Sequence, residues 1–545
     1  MNGSENIIYG LFGMLFIIRS KQSANGGGCH LVLLNGNWFT SNNNTHIYPN
    51  SITIINYIYP NSVTEKQLIN PNSVPKYSLI NPNFVTTSSF GIKVCQMFDR
   101  IIFTELEKWL TKSNRKPLVI RGARQVGKTT VVGQFSKKFK QYIYLNLELA
   151  VDRKPFEEFT TIELLVQSLF FIKNQSLTQR NDTLLFIDEI QEVPEALNIL
   201  RYFHEDYPGI AVIAAGSMLE TLFDKNISFP VGRVEYMVLR PVSFPEFLSA
   251  MDEREAINYL QQVPAPTFTH DKLMQLFHTY ALIGGMPEVI AAYSKNKDLL
   301  ELSAIFDSLI TAYMDDVEKY AGTNAQALHI GHAIRASFGQ AGQRIKFEGF
   351  GNSPYRSRDM GEALRTLEKA LLIELIYPSS DVKLPLLPDY RKSPRLQVLD
   401  TGMLNYFAGI QTEILGTDDL NKVYQGTLIE HLVGQELLAT QFKSLSALHF
   451  WVRKKTTSSA EVDYVVPFEG QLIPVEVKSG AEGKLKSLHM FMDLSPHNMA
   501  IRFYAGSLHI TDAVTPGGKK YKLLNLPYYL VSQIENYLTW FKTQI

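Results

Sequence analysis

The chain has 545 residues, and its 53 Lys and Arg balance 53 Asp and Glu, so the formal net charge is zero with the 12 histidines neutral. At about 100–200 residues per domain this length predicts three or four domains. A composition of 45% hydrophobic and 19% charged residues excludes collagen, coiled coil and wholesale disorder. Zero net charge argues against a polybasic protein that binds nucleic acid by bulk electrostatics, and two cysteines exclude a disulfide-stapled fold.

Residues 1–95 differ in composition from the rest of the chain, with fifteen asparagines and only seven charged side chains. A phrase ending in Pro-Asn recurs every eleven residues from Ile47 to Asn83. A small solenoid would need a continuous apolar face, which repeats this short and polar do not supply, so we expect a low-complexity, disordered extension. The apolar run Ile7–Ile18 is shorter than the ~20 residues of a membrane-spanning helix. We therefore expect no stable membrane insertion and a cytoplasmic protein.

A glycine-rich loop follows the short apolar strand predicted at residues 117–121 and precedes a helical pattern. Its spacing, GxxxxGKT, is that of a phosphate-binding loop. The two glycines let backbone N–H groups turn inward, the lysine supplies a positive charge to the β- and γ-phosphates, and the threonine hydroxyl suits Mg²⁺. The predicted nucleotide-binding residues are Gly122, Ala123, Arg124, Gln125, Val126, Gly127, Lys128, Thr129 and Thr130.

Two carboxylates end a second apolar strand, predicted at residues 183–188. A nearly continuous apolar run is typical of a parallel strand that is buried on both faces. We expect Asp188 to hold Mg²⁺ and Glu189 to orient or deprotonate the attacking water. With Lys128, Glu189 is therefore a predicted catalytic residue of a hydrolase.

Ser217 and Arg233 are two further candidates for the nucleotide site, and each also has a purely structural interpretation. Ser217 ends a third strand, where it would contact the γ-phosphate or simply begin a loop. Arg233 follows Val231-Gly and would offset transition-state charge or form a structural salt bridge.

The run Arg121–Thr130, with Phe186–Gln191, Ala215–Ser217, Val231–Arg233 and Leu282–Pro287, resembles the prokaryotic AAA-family ATPases. The relatives in question carry a C-terminal restriction-endonuclease-like domain of unknown function. The resemblance implies an α/β fold: a P-loop NTPase parallel-sheet core, a helical lid, a winged-helix-like middle and a C-terminal α/β restriction-endonuclease-like domain. The implied ranges are 96–250 for the core, 251–320 for the lid, 321–390 for the middle and 391–545 for the last domain.

The middle region is helical up to a short strand near residue 373, and the resemblance suggests a winged helix. A reading helix would direct Ser357, Arg358, Arg365 and Lys369 toward nucleic acid. The alternative is a packing module with a solvated basic face.

Near the C-terminus, Asp463 lies thirteen residues before Glu476, and Lys478 follows two residues later. This is the spacing of PD-(D/E)xK nucleases. Because side chains alternate along a strand, Glu476 and Lys478 share a face. Asp463 and Glu476 would bind a divalent metal while Lys478 activates water, and a helical Glu430 or Glu436 would add a further acid.

The leading hypothesis is a magnesium-dependent, ATP-hydrolysing enzyme that acts on DNA through its nuclease-like domain, with a homo-oligomeric state left open. The alternative is a nucleotide-switched interaction protein in which the nuclease-like fold is an inactive scaffold.

Overall fold

The computed structural model describes residues 98–159, 161–217, 232–316, 319, 321–409, 426–454, 460–478 and 485–545, together with the backbone of four strands between residues 6 and 58. The chain divides between Gly91 and Ile92 into two units. Most of the eleven-residue repeat lies outside the described residues.

The first unit contains a four-stranded antiparallel meander. Its strands are β1 (Asn6–Leu11), β2 (Met14–Lys21), β3 (Gly28–Ser41) and β4 (Asn44–Ile58). The structure differs here from the prediction of a disordered extension. The strands hold many isoleucine and aromatic residues, which favour β-structure.

The second unit begins with an alternating series of strands and helices. Its strands are β5 (Leu118–Arg121), β6 (Gln141–Asn146), β7 (Thr183–Asp188), β8 (Ala211–Gly216) and β9 (Glu235–Val238). Its helices are α1 (Ile102–Leu110), α2 (Lys128–Phe135), α3 (Ala150–Glu158), α4 (Ile162–Ile172) and α5 (Pro194–Asp206).

These five strands form one parallel sheet in the order β6-β7-β8-β5-β9. Each face of the sheet is covered by a separate part of the core: Leu184 and Phe186 of β7 point into one, and Leu185 and Ile187 into the other. This two-sided burial explains the continuous apolar run of β7. Because parallel strands end at the same edge, the glycine-rich loop after β5, Glu189 after β7 and Ser217 after β8 begin at that edge. The prediction of an α/β fold with a parallel-sheet core is confirmed.

A helical region follows, as predicted, and leads to a pair of helices backed by a small antiparallel sheet. The first helices are α6 (Phe244–Ala250), α7 (Arg254–Leu260), α8 (His270–Ile283), α9 (Pro287–Asn296) and α10 (Leu302–Asp315). The pair is α11 (Asn324–Gly339) and α12 (Ser357–Lys369), and the sheet joins β10 (Ile373–Ile376) to β12 (Arg395–Val398).

The C-terminal region is again α/β, with a five-stranded mixed sheet in the order β15-β16-β17-β19-β18. These strands are β15 (Tyr464–Phe468), β16 (Gln471–Val477), β17 (Met499–Tyr504), β18 (His509–Val514) and β19 (Lys520–Pro527). A smaller sheet joins β11 (Pro378–Ser379), β13 (Phe450–Val452) and β14 (Glu461–Val462). The helices are α13 (Thr401–Phe407), α14 (Gly426–Ala439), α15 (Lys486–Leu494) and α16 (Ile534–Lys542).

The strands β15 and β16 form an antiparallel hairpin around Glu469 and Gly470, both with positive φ. Two residues in this conformation match the twist of the flanking strands. Within the described part of the chain, every helix is too short or too polar to cross a bilayer.

Candidate functional site

The glycine-rich loop connects β5 directly to α2, at the edge of the parallel sheet. Gly127 has a φ of 94°, a left-handed conformation that favours glycine, and Gln125 has a φ of 61°. Gly122 lies so close to the next segment that a Cβ placed on it would be 2.5 Å from the Leu239 carbonyl oxygen. Both glycines of the motif are therefore needed for the path of the backbone, one for its φ and one for its close packing.

Lys128, the first residue of α2, turns its side chain back into the loop. Its Nζ donates to the carbonyl oxygens of Gly122 and Ala123, each at 2.9 Å. Burial lowers the pKa of Lys128 to about 8, although Glu189 and Asp188 oppose that shift. The loop thus encloses an ammonium group that a phosphate can attract, beside a helix N-terminus that favours anions.

The carboxyl end of β7 lies against the start of α2. Thr129 Oγ1 donates to Asp188 Oδ2 at 2.6 Å, and the Tyr144 hydroxyl lies 3.4 Å from the same oxygen. Burial raises the pKa of Asp188, while the hydrogen bond from Thr129 lowers it. The neighbouring Glu189 has a φ of 50° and accepts from Gln191 Nε2 at 2.5 Å. The structure therefore brings the predicted hydroxyl, aspartate and glutamate together.

A cavity of about 720 Å³ opens over this loop. The helical region supplies one wall, through Pro287, Glu288 and Ala291 of α9 and Ala312 of α10. Its other lining residues are Phe98, Arg100, Arg124, Gln125, Gly127, Lys128, Thr129, Thr130, Val131, Gln134, Glu148 and Glu189. Its volume suits a ligand of nucleotide size.

Of three further residues predicted from the sequence, Arg124, Ser217 and Arg233, only Arg124 lines this cavity. Arg124 lines the cavity and pairs with Asp316 at 2.8 Å. The buried Ser217 Oγ has no hydrogen-bond partner among the described residues. Arg233 is outside the lining and forms an ion pair with Glu205, as the structural alternative for it expects.

A second group of charged residues, the acidic cluster, consists of Glu430, Asp463, Glu476 and Lys478. Lys478, the residue directly after β16, has its Nζ 2.5 Å from Glu476 Oε1, so the two side chains lie on the same side of the chain, as alternation predicts. Asp463 Oδ2 accepts from the Val477 backbone N–H at 2.7 Å, which fixes it beside the same strand.

Arg395 of β12 joins this group. Its guanidinium donates to the Asp463 carbonyl at 3.0 Å and lies 3.9 Å from both Asp463 Oδ1 and Glu430 Oε2. The spacing of the two carboxylates and the lysine was predicted from sequence, but the arginine was not.

Burial affects the pKa of every member of the acidic cluster. It raises the pKa of Glu430 and of Glu476 to about 8, and the charge of Asp463 adds to both shifts. Burial likewise raises the pKa of Asp463. Burial alone would lower the pKa of Lys478, but the attraction of Glu476 raises it overall. Three carboxyl groups thus share a site that favours an added cation.

The cluster fits a divalent metal in one respect and not in another. Glu476 Oε2 is buried and has no hydrogen-bond partner in the described residues, so one carboxylate oxygen is available as a ligand. Within the same residues, no three His, Cys, Asp or Glu side chains are arranged to hold a metal ion.

Of the two acids considered on α14, only Glu430 belongs to the acidic cluster. Glu436 accepts instead from the Phe244 backbone N–H at 3.0 Å and lies 2.5 Å from the Tyr280 hydroxyl. Six residues along a helix place the two side chains on different faces.

A polar groove of about 770 Å³ lies between α11 and α12. Arg358, Arg365 and Lys369 of α12 line it together with Lys319 and His329. Ser357, the first residue of α12, does not line the groove.

Sequence reasoning missed Arg100, Tyr144 and Arg395. Arg100 lines the loop cavity, Tyr144 contacts Asp188, and Arg395 reaches the acidic cluster. Each lies far along the chain from the motif that it contacts, so motif spacing carries no information about it.

The parallel sheet, its glycine-rich loop and the paired carboxylates define a P-loop nucleotide-binding domain. Residues 114–248 match the family described as an AAA domain, which agrees with the P-loop architecture of this part of the chain. Residues 274–414 and 425–529 match two families described as domains of unknown function, DUF8612 and DUF4143.

Among curated proteins, the chain is similar to the uncharacterized protein MJ1544 of Methanocaldococcus jannaschii. The two are 25% identical over 214 residues, which are 39% of this chain. The matched part spans 44% of the length of that relative.

Proposed function

We propose that this protein binds and hydrolyses ATP at the loop between β5 and α2. The observation that carries the proposal is the position of Lys128, whose buried ammonium group lies inside the loop at 2.9 Å from two of its carbonyl oxygens. A buried cation held by neutral carbonyls is poised to exchange them for phosphate oxygens.

The roles proposed for the surrounding side chains follow from their chemistry. The backbone N–H groups of residues 122–130 bind the phosphates, and Thr129 and Asp188 would hold Mg²⁺, which neutralises phosphate charge. Glu189 accepts a proton from the attacking water. The unpartnered hydroxyl of Ser217 is available to the γ-phosphate. Arg233 keeps its proposed role only if it leaves Glu205, because that ion pair holds it outside the cavity lining.

The test is ATP binding and phosphate release by wild type and by Lys128→Ala. A matched control is Lys137→Ala, which removes an exposed lysine shortly after the same helix. We expect Lys128→Ala to lose ATP binding and turnover, with Lys137→Ala equal to wild type. Wild-type binding and turnover in Lys128→Ala would refute the proposal.

We propose further that the protein acts on DNA through the acidic cluster and the polar groove. The groove supports this because it combines Lys319, Arg358, Arg365 and Lys369 with only two acidic residues, Asp359 and Glu362. Basic side chains along one helix suit a phosphate backbone. The acidic cluster supports it because Asp463 accepts from the Val477 N–H, between Glu476 and Lys478, and Glu476 keeps one carboxylate oxygen without a partner in the described residues. Carboxylate oxygens of this kind are the ligands that a metal-assisted phosphodiesterase uses.

Cleavage of labelled DNA with Mg²⁺ or Mn²⁺ tests the nuclease part, with Lys478→Ala as the disabling variant. Lys522→Ala is the control, since that lysine lies on β19 of the same sheet and pairs with Asp512. We expect Lys478→Ala to lose at least 100-fold in rate and the control to cut like wild type. Cleavage that survives Lys478→Ala would come from another site or a contaminant.

The second candidate is a nucleotide-switched interaction protein with an inactive scaffold. Two observations favour it. Lys478 Nζ is paired with Glu476 Oε1 at 2.5 Å, and the described residues offer no three-ligand metal set. An ATPase that cuts neither DNA nor RNA, and whose cellular function survives Lys478→Ala, would establish this candidate.

A further inference from the structure

A short stretch, the junction segment Leu239–Phe244, follows β9 and packs against the start of the glycine-rich loop. Its Leu239 N–H donates to the Arg121 carbonyl at 2.7 Å. The Leu239 carbonyl is the atom that a Cβ on Gly122 would meet at 2.5 Å. The segment is therefore packed tightly against the start of the nucleotide-binding loop.

Arg100 connects the loop to the junction segment from the other side. The side chain is buried, with 6% of its surface exposed, and it lines the cavity over the loop. Its Nη1 donates to the Val126 carbonyl at 3.1 Å, and its Nη2 donates to the Arg240 carbonyl at 2.7 Å. Its Nε pairs with Glu246 at 3.0 Å. One guanidinium thus fixes a loop carbonyl, the junction segment and the first turn of α6 together.

The C-terminal region holds the far end of the same segment. The Phe244 N–H donates to both carboxylate oxygens of Glu436, at 3.0 and 3.1 Å. The Tyr280 hydroxyl lies 2.5 Å from Glu436 and 2.8 Å from the Val242 carbonyl. All of these groups are buried. Glu436 belongs to α14, the helix that also carries Glu430 of the acidic cluster.

We propose that Arg100 is a positioning residue for nucleotide binding, and that the junction segment makes nucleotide affinity depend on the position of α14. The inference rests on the proposed ATP binding. Arg100 acts through Val126, because fixing that carbonyl fixes the peptide whose N–H, on Gly127, faces the phosphates. Glu436 acts through Phe244 and Tyr280, because these hold the segment against Gly122.

The first test is Arg100→Lys in the full chain. Lysine keeps the positive charge beside Glu246, but its single ammonium group cannot reproduce the planar three-way contact. We expect the Kd for ATP to rise at least 10-fold, and kcat at saturating ATP to fall less than 3-fold. A merely structural arginine would lower Tm and leave the ATP Kd of the folded fraction unchanged.

The second test compares two substitutions on α14. Glu436→Leu and His431→Leu each remove a buried side-chain acceptor of a backbone N–H, that of Phe244 in the first case and of Val398 in the second. We expect Glu436→Leu to raise the Kd for ATP at least 3-fold, while His431→Leu lowers Tm without changing the Kd. Equal ATP affinity in both variants would overturn the dependence on α14.

Tyr280→Phe is the milder variant if Glu436→Leu does not fold. It removes only the hydroxyl between Glu436 and the Val242 carbonyl, and the expected rise in Kd is about 2- to 3-fold, measured with the same titration. A wild-type protein that binds no ATP would refute the proposed function. Wild-type ATP affinity in both Arg100→Lys and Tyr280→Phe would refute the inference alone.

Discussion

Gly122→Ala is the substitution whose effect the structure fixes most directly. The added Cβ would lie 2.5 Å from the Leu239 carbonyl oxygen and 3.0 Å from Val126 Cγ2. Reaching even 3.0 Å from that oxygen requires a displacement of 0.5 Å, the difference between 3.0 and 2.5 Å. Leu239 has little freedom to move, because it is 1% exposed and its N–H is bonded to the Arg121 carbonyl. The glycine-rich loop must therefore move instead.

The expected cost has two parts. Overpacking of a tight site lowers the free energy of unfolding by about 1–3 kcal/mol. Displacing a catalytic loop by a fraction of an ångström lowers its rate as well, since a misplacement of about 1 Å can cost about 100-fold. We expect kcat/KM for ATP to fall by at least about 10-fold, measured by phosphate release, with stability followed by urea unfolding.

Gly133→Ala is the matched control. Gly133 lies inside α2, one turn beyond the loop, and a Cβ placed on it meets nothing within 4 Å. Alanine is a better helix former, so we expect about 0.5–1 kcal/mol of added stability and unchanged turnover. Gly122→Ala with wild-type turnover and stability would show that the loop does not pack against Leu239 as described.

Two further changes test the catalytic glutamate and a buried histidine. Glu189→Gln is expected to keep ATP affinity within about 2-fold and to lose about 10²–10⁴ in turnover, because only proton transfer is removed; equal turnover in a phosphate-release assay would exclude Glu189 as the base. Burial lowers the pKa of His431 to about 3. Below about pH 6.5 His431 therefore binds a proton in the unfolded chain but stays neutral in the folded chain. This difference lowers the free energy of unfolding increasingly as the pH falls from 6.5 toward 3. We expect a contribution of about 2 kcal/mol at pH 5 relative to pH 7, seen in urea unfolding as a stability gap between wild type and His431→Leu that narrows toward acid; a gap independent of pH would contradict the shift.

The sequence by itself determined the features that depend on local backbone preferences. The GxxxxGKT spacing needs only eight consecutive residues, and the apolar strand before it and the helix after it, at Lys128–Phe135, follow from short-range patterns. The same holds for the alternation of side chains along one strand, which places Glu476 and Lys478 on the same face. For the first ninety residues, low charge and many asparagines led to a prediction of disorder. The structure instead has a meander over residues 6–58, which agrees with the strand preferences of the isoleucine and aromatic residues there.

Only the tertiary structure decided which distant side chains meet. The sequence offered Glu430 and Glu436 as equal candidates, and the packing of α14 sends one to the acidic cluster and the other to Phe244, 192 residues away. Arg100 reaches Val126 and Glu246 for the same reason. Such contacts depend on the order of the strands in the sheet and on how helices pack, and these are set by the summed burial of the whole core. Residue spacing along the chain does not encode them.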